Sequence, residues 1–106
     1  MAKVDIFWTL QAENDLRAIQ AFISADAPQR AISFLHRLKS AVEPLRNFPE
    51  IGQVVPETAD PAIREIRLGN YRIIYRVQVG RVDILTVHHG ARLFHLDPPG
   101  ETGSGA

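Results

Sequence analysis

Residues 63–89 read IREIRLGNYRIIYRVQVGRVDILTVHH, and three extended runs account for nearly all of them. Ile63 to Leu68 stops at Gly69-Asn70, a pair suited to a two-residue hairpin turn because glycine takes positive φ without a Cβ clash. Tyr71 to Val79 alternates: Tyr71, Ile73, Tyr75, Val77 and Val79 share one face, and Arg72, Ile74, Arg76 and Gln78 share the other. Gly80-Arg81 turns into Val82 to His89, whose nearly continuous apolar run (Val82, Ile84, Leu85, Val87) predicts an inner strand covered on both sides. Connections this short make the three runs antiparallel neighbours. One face of the sheet is apolar and the other carries arginine.

Toward the N-terminus, Pro49 to Pro61 is rich in proline, glycine and acid and reads as a loop. Two helical patterns precede it. Ala12, Leu16, Ile19 and Ile23 step by four, three and four, which puts them on one helical stripe behind Thr9, a good N-cap. Ser24 to Ala27 separates this helix from the next, with Asp26 or Ala27 as the second cap and Pro28 where its missing N–H costs nothing. The second stripe is Ala31, Leu35, Leu38, Val42 and Leu45, and Pro44 predicts a kink or a restarted last turn. So short a link makes the pair an antiparallel helical hairpin. Ile6-Phe7-Trp8 reads as a short strand at the start, and Leu93-Phe94 as a last short element. The expected fold is α+β in the order β-α-α-β-β-β, with the helical hairpin on one face of a mainly antiparallel sheet. Residues 1–97 form the single domain and 98–106 a flexible tail.

Composition narrows the function classes. Apolar residues make up 45% and charged residues 23%, which is globular rather than disordered. With no cysteine, disulfide and thiolate chemistry is excluded. No signal-peptide pattern or membrane-length apolar run is present, so a soluble, cytoplasmic protein with no membrane role is expected. Formal net charge is zero, which speaks against simple coating of DNA. The charge is nevertheless uneven: between Ile63 and His95 six arginines (64, 67, 72, 76, 81, 92) face two acids, Glu65 and Asp83, a balance of +4. Such a patch suits an anionic partner.

Several residues have a plain reading beside a functional one. Arg72 serves equally as an exposed strand residue paired with Glu65 across the hairpin. His88 and His89 are strand neighbours pointing to opposite faces, so they do not chelate one metal together; no metal site or cofactor is expected. His36 reads as solvated. Trp8, Phe22, Phe34 and Phe48 read as core, as do Tyr71 and Tyr75 with hydroxyls reaching the rim.

The motifs Asp15-Leu16, Phe48-Pro49 with Gly52, Arg64-Glu65-Ile66, Gly69-Asn70-Tyr71-Arg72-Ile73-Ile74-Tyr75 and Val87-His88-His89-Gly90-Ala91-Arg92 form an ordered set. This set resembles the RelE/ParE superfamily of type II toxin–antitoxin toxins, the plasmid-stabilisation type, from about Ile6 to Phe94. The resemblance implies a toxin neutralised by a cognate antitoxin encoded beside it, which lies against the helices and the sheet edge.

Two kinds of target follow from the resemblance. RNA-cleaving members act on the ribosome and cut mRNA, using lysines on the strand before the Tyr-Arg motif, arginines in that motif and after the last strand, and an aromatic or histidine near the C-terminus. Arg72 and Arg92 match, whereas Ile63 and Glu65 occupy the lysine positions and the aromatic position falls near Pro98. Arginine stabilises anions but accepts protons poorly, so these residues alone supply no base. Relatives that use Glu and His point to Glu57 and to His89 or His95, giving Glu57, Arg72, His89 and Arg92 as the set for an RNase. ParE-like members inhibit DNA gyrase by binding and need no catalytic set. The missing lysines favour that branch, with Arg67, Arg72, His89 and Arg92 as target-binding residues. A non-toxic, partner-binding relative is the third possibility.

Overall fold

A computed structural model describes residues 3–90 of the chain, ordered as β1 (Asp5–Trp8), α1 (Leu10–Ser24), α2 (Pro28–Val42), a 3-10 turn (Glu43–Arg46), β2 (Gln53–Val54), β3 (Ile63–Leu68), β4 (Tyr71–Gln78) and β5 (Arg81–His89). The expected Leu93-Phe94 element, the end of the domain to residue 97 and the 98–106 tail lie outside the described residues. The five strands form one sheet in the order β1-β5-β4-β3-β2. β1 runs parallel to β5 and every other pairing is antiparallel. This is the α+β architecture expected from the sequence, with β2 added. A strand of two residues in a Pro-rich loop leaves no periodicity to read.

Thr9 caps α1 as its position suggested. Its hydroxyl accepts the Ala12 N–H at 3.2 Å and donates to the Ile84 carbonyl at 2.7 Å, fastening the helix start to β5. Ala27 precedes α2 without a side-chain cap, and Pro28 takes the first turn. At Pro44 the α-helix gives way to the 3-10 turn, the restart that proline imposes. Lys39 near the end of α2 reaches Glu13 near the start of α1 at 3.8 Å, as an antiparallel hairpin requires.

The main core lies between hairpin and sheet. Ala12, Leu16, Ile19, Leu38, Val42 and Leu45 meet Ile73, Tyr75, Val82, Ile84 and Val87, with Trp8 and Phe34 packed against them. Two aromatics depart from expectation: Phe22 is 77% and Phe48 62% exposed, since each follows the buried stripe without lying on it. A second, smaller core of Val55, Ile63 and Ile74, with Leu85 against it, lies on the opposite face of the sheet under the loop from Val55 onward.

β5 contains one irregularity. Ile74 stands opposite Thr86 but Tyr75 opposite Ile84, so Leu85 is an extra residue, a β-bulge. Asp15 of α1 holds this site: its carboxylate accepts from the Thr86 hydroxyl and from the Val87 N–H at 3.0 Å. The bulge also explains the continuous apolar run, because Ile84 and Val87 enter the main core while Leu85 enters the second one.

Tyr75 is fully buried, and its hydroxyl accepts the Gly52 N–H at 3.0 Å instead of reaching the rim. Burial pushes the phenol pKa up. A Cβ at Gly52 would stand 2.5 Å from the Glu65 carbonyl oxygen and 2.6 Å from Tyr75 Oη, so only glycine fits. Gly52→Ala is expected to lower stability by about 1–3 kcal/mol, the range for overpacking. A denaturation midpoint equal to that of the wild type would contradict this packing.

Candidate functional site

Register assigns the candidate residues to faces. Arg67 stands opposite Arg72, and Arg72 opposite His88. Side chains directly opposite in neighbouring strands share a face, so Arg67, Arg72 and His88 lie together on the side away from the helices, as does Glu65 two residues before Arg67.

The Arg72 side chain is not exposed: it retains 5% of its accessible surface. Its Nε donates to Glu65, which is 6% exposed, and its two terminal nitrogens form a bidentate pair with Glu57 at 2.8 and 2.9 Å. The pairing with Glu65 is therefore as expected, but the exposed surface pair is corrected to a buried cluster. Hydrogen bonds to Glu57 and Glu65 hold the guanidinium above its ordinary pKa against the opposing effect of burial.

Glu57 is brought in by the loop after β2. Val55 anchors that loop in the second core, and Thr58 donates back to the Val55 carbonyl. Ala59 takes φ +57°, a left-handed conformation that costs a non-glycine residue about 1–2 kcal/mol. Beyond it Asp60 reaches Arg76 at 3.4 Å. The loop is thus pinned on the sheet by two arginines.

The same accounting applies to the other arginines of the basic stretch. Arg81 pairs with Asp83 at 2.7 Å, and Arg64 donates to the Gly52 and Glu50 carbonyls at 2.8 and 3.2 Å. Arg67 contacts Glu65 only at 3.9 Å and is 62% exposed. The local excess of positive charge is therefore largely met by neighbouring groups, including Glu57 and Asp60, which precede the stretch.

His89 is on the other side of the sheet. Its ring meets the Tyr71 ring edge-on at 5.5 Å, and Tyr71 in turn meets Phe34 of α2 at 5.2 Å. With Asp15, Ala18, Ile19, Phe22, Tyr71 and Val87 it lines an open groove of about 440 Å³ between α1 and the sheet. Of the sequence candidates, the structure joins Glu57, Arg72 and Arg67, separates His89 from them, and places His88 among them. Arg92 and His95 lie outside the described residues. Gly90 leaves β5 beside this cluster: a Cβ there would stand 3.5 Å from an Arg67 terminal nitrogen and 3.6 Å from Arg72 Cγ. Among the described residues no group of three or more His, Cys, Asp or Glu side chains is placed to hold a metal, and no helix is long and apolar enough to cross a membrane.

A fold with this sheet and helical hairpin has known counterparts. Residues 6–94 match the profile of the ParE toxin of type II toxin–antitoxin systems, parDE. The chain belongs to the ParE toxin family. It is similar to Toxin RelE2 of Caulobacter vibrioides, at 36% identity over 89 residues covering 83% of this chain and 97% of that protein. Among solved structures, the chromosomal ParDE system of P. aeruginosa superposes with a TM-score of 0.71 at 23% identity, covering 82% of this chain and 96% of the other. The RelBE2 toxin–antitoxin complex of Mycobacterium tuberculosis gives 0.57 at 22% identity, covering 82% and 98%. The chain is thus a toxin of the RelE/ParE superfamily, and both structural likenesses support its fold.

In this toxin, removing one member of a buried ion cluster leaves the others unpaired. Arg72→Ala is expected to cost about 3–5 kcal/mol, because Glu65 would stay buried without its cation. Arg67→Ala, at an exposed position, should cost less than about 1 kcal/mol. Equal effects of the two in chemical denaturation would contradict a structural role for Arg72.

Proposed function

We propose that this toxin acts by binding rather than by cleavage, as a ParE-like inhibitor of DNA gyrase in the cytoplasm, held in check by a cognate antitoxin. The observation that carries the reading is the internal pairing of Arg72: each nitrogen of its buried guanidinium already donates to a carboxylate. A phosphodiester would have to compete with Glu57 for a side chain that is 5% exposed. Cleavage also needs a base aimed at a 2′-hydroxyl, and both oxygens of Glu57 are engaged by Arg72. Ile63 and Glu65, at the positions where RNA-cleaving relatives place lysines, are buried. Exposed Arg67, together with Arg92 further along the chain, is then the target-contacting cation, and Arg72 positions the loop. His89 belongs to the groove beside α1.

The antitoxin partnership draws on the structural relatives, one described as a ParDE toxin–antitoxin system and the other as a RelBE2 toxin–antitoxin complex. It also fits the groove beside α1 and the 77% exposure of Phe22 on its wall.

One observation favours the RNA-cleaving alternative: Glu57, Arg72 and His88 are close on one face. Pulse labelling of DNA, RNA and protein synthesis after induction without antitoxin separates the two. DNA synthesis should stop first, and purified toxin should inhibit supercoiling by gyrase. Glu57→Gln should leave that inhibition within about threefold. Early arrest of translation with cleaved messages would overturn the proposal, and intact growth would identify a non-toxic relative.

A further inference from the structure

The end of β5 has a strand neighbour on one side only. β1 accompanies β5 from Arg81 as far as Ile84, where Trp8 stands opposite, and the chain then turns into α1. From Leu85 to His89 the strand has β4 on one side and, among the described residues, no strand on the other. Backbone groups on such an edge need partners from elsewhere. Side chains at the start of α1 supply them. The Thr9 hydroxyl donates to the Ile84 carbonyl at 2.7 Å and stands 3.1 Å from the Leu85 carbonyl oxygen. One oxygen of Asp15 accepts both the Thr86 hydroxyl and the Val87 N–H, the latter at 3.0 Å. Gln11 donates to the other oxygen at 2.8 Å and steadies the carboxylate. The bulge at Leu85 is thus held on both sides by α1.

Beyond the bulge the strand leads to the arginine face. His88 stands opposite Arg72, and Gly90 donates its N–H to the Asn70 carbonyl at 2.7 Å. Gly90 lies beside the Arg67 and Arg72 side chains, and Arg92 is two residues on. Without the bulge, Val87 would stand opposite Arg72 and Thr86 opposite Ile73, in the main core. The apolar pattern therefore selects the bulged register, because Val87 is the better core residue. That pattern leaves a hydroxyl and an N–H on the open edge, and Asp15 satisfies both.

We propose that Asp15 is a positioning residue for the target-contacting face: from the helical side it holds the end of β5 so that Gly90 and the segment carrying Arg92 leave beside Arg67. The inference rests on the reading that Arg67 and Arg92 contact the target. Asp15 acts through Thr86 and Val87, and its geometry as well as its charge is required.

The test compares Asp15→Ala, Asp15→Asn, Asp15→Glu and Glu13→Gln in the full chain by growth inhibition, gyrase inhibition, thermal melts and amide hydrogen exchange. Asp15→Ala should speed exchange at Val87 and Gly90 about tenfold more than at Ile73 and Ile84, and weaken both inhibitions about tenfold. Asp15→Glu, which keeps the charge but displaces the oxygens, should behave alike, and it decides the matter if the alanine variant does not fold. Asp15→Asn keeps an acceptor for Thr86 and Val87, and Gln11 can turn its amide to meet the new NH2 group, so potency should return to within about threefold. Glu13, an acid of the same helix directed at Lys39, controls for lost charge, and Glu13→Gln should stay within about twofold of wild type. Wild-type potency in folded Asp15→Ala or Asp15→Glu overturns the proposal. So does exchange that rises equally at all four amides, which marks Asp15 as a general stabiliser. If the wild-type toxin arrests growth without inhibiting gyrase, the gyrase reading fails and the growth assay alone decides on Asp15. A wild-type chain that inhibits neither overturns both.

Discussion

A guanidinium buried on a sheet face needs carboxylates to meet it, and the position of Arg72 dictates where those carboxylates must be. Taking an ion out of water costs several kcal/mol unless close, well-aligned counter-charges replace the solvent. Glu65 on the neighbouring strand supplies one and Glu57 supplies the other, in the bidentate geometry that suits arginine best. Since Glu57 comes from the loop after β2, the loop must lie across the sheet. Lying there, it covers Ile63 and Ile74 with Val55 and forms the second core. Gly52 then approaches close enough to satisfy the buried hydroxyl of Tyr75. Ion cluster, loop and second core are one assembly.

That assembly distinguishes the two faces of the molecule by how their charges are met. The sheet face has its charges matched internally, leaving Arg67 as its most exposed arginine of the cluster. The helical face has the opposite character: an open groove beside α1, an exposed Phe22, and an α2 whose cations have no acid on their own helix. A ParE-like toxin that works by occupying a target needs only surfaces of this kind, whereas a nuclease needs unoccupied cations and a base.

Much of this was legible in the sequence where period and turn chemistry agree. The α1 and α2 stripes, the Thr9 cap, the proline restart at Pro44 and the Gly69-Asn70 turn are local features, and each appears where the residues put it. The site was less legible for two physical reasons. The bulge at Leu85 shifts the β4–β5 register by one residue, so His88 rather than His89 faces Arg72. An unbulged hairpin drawn from its turn would have paired His88 with Tyr71. The second reason is long-range pairing. Counting charge from Ile63 to His95 omitted Glu57 and Asp60, the loop acids that fold back onto Arg72 and Arg76. Composition by window sees sequence neighbours, while charge is neutralised by neighbours in space.

The most direct measurement replaces the whole cluster with apolar residues of similar size, Glu57→Met, Glu65→Leu and Arg72→Met, and assays growth inhibition beside a thermal melt. Apolar replacement of a complete buried ion cluster is commonly tolerated even where removal of one member is not. If the cluster is a structural pin for the loop, the triple variant folds and remains toxic. A variant that folds with the wild-type melt yet no longer inhibits growth would show that these charges act on the target, and would contradict the account.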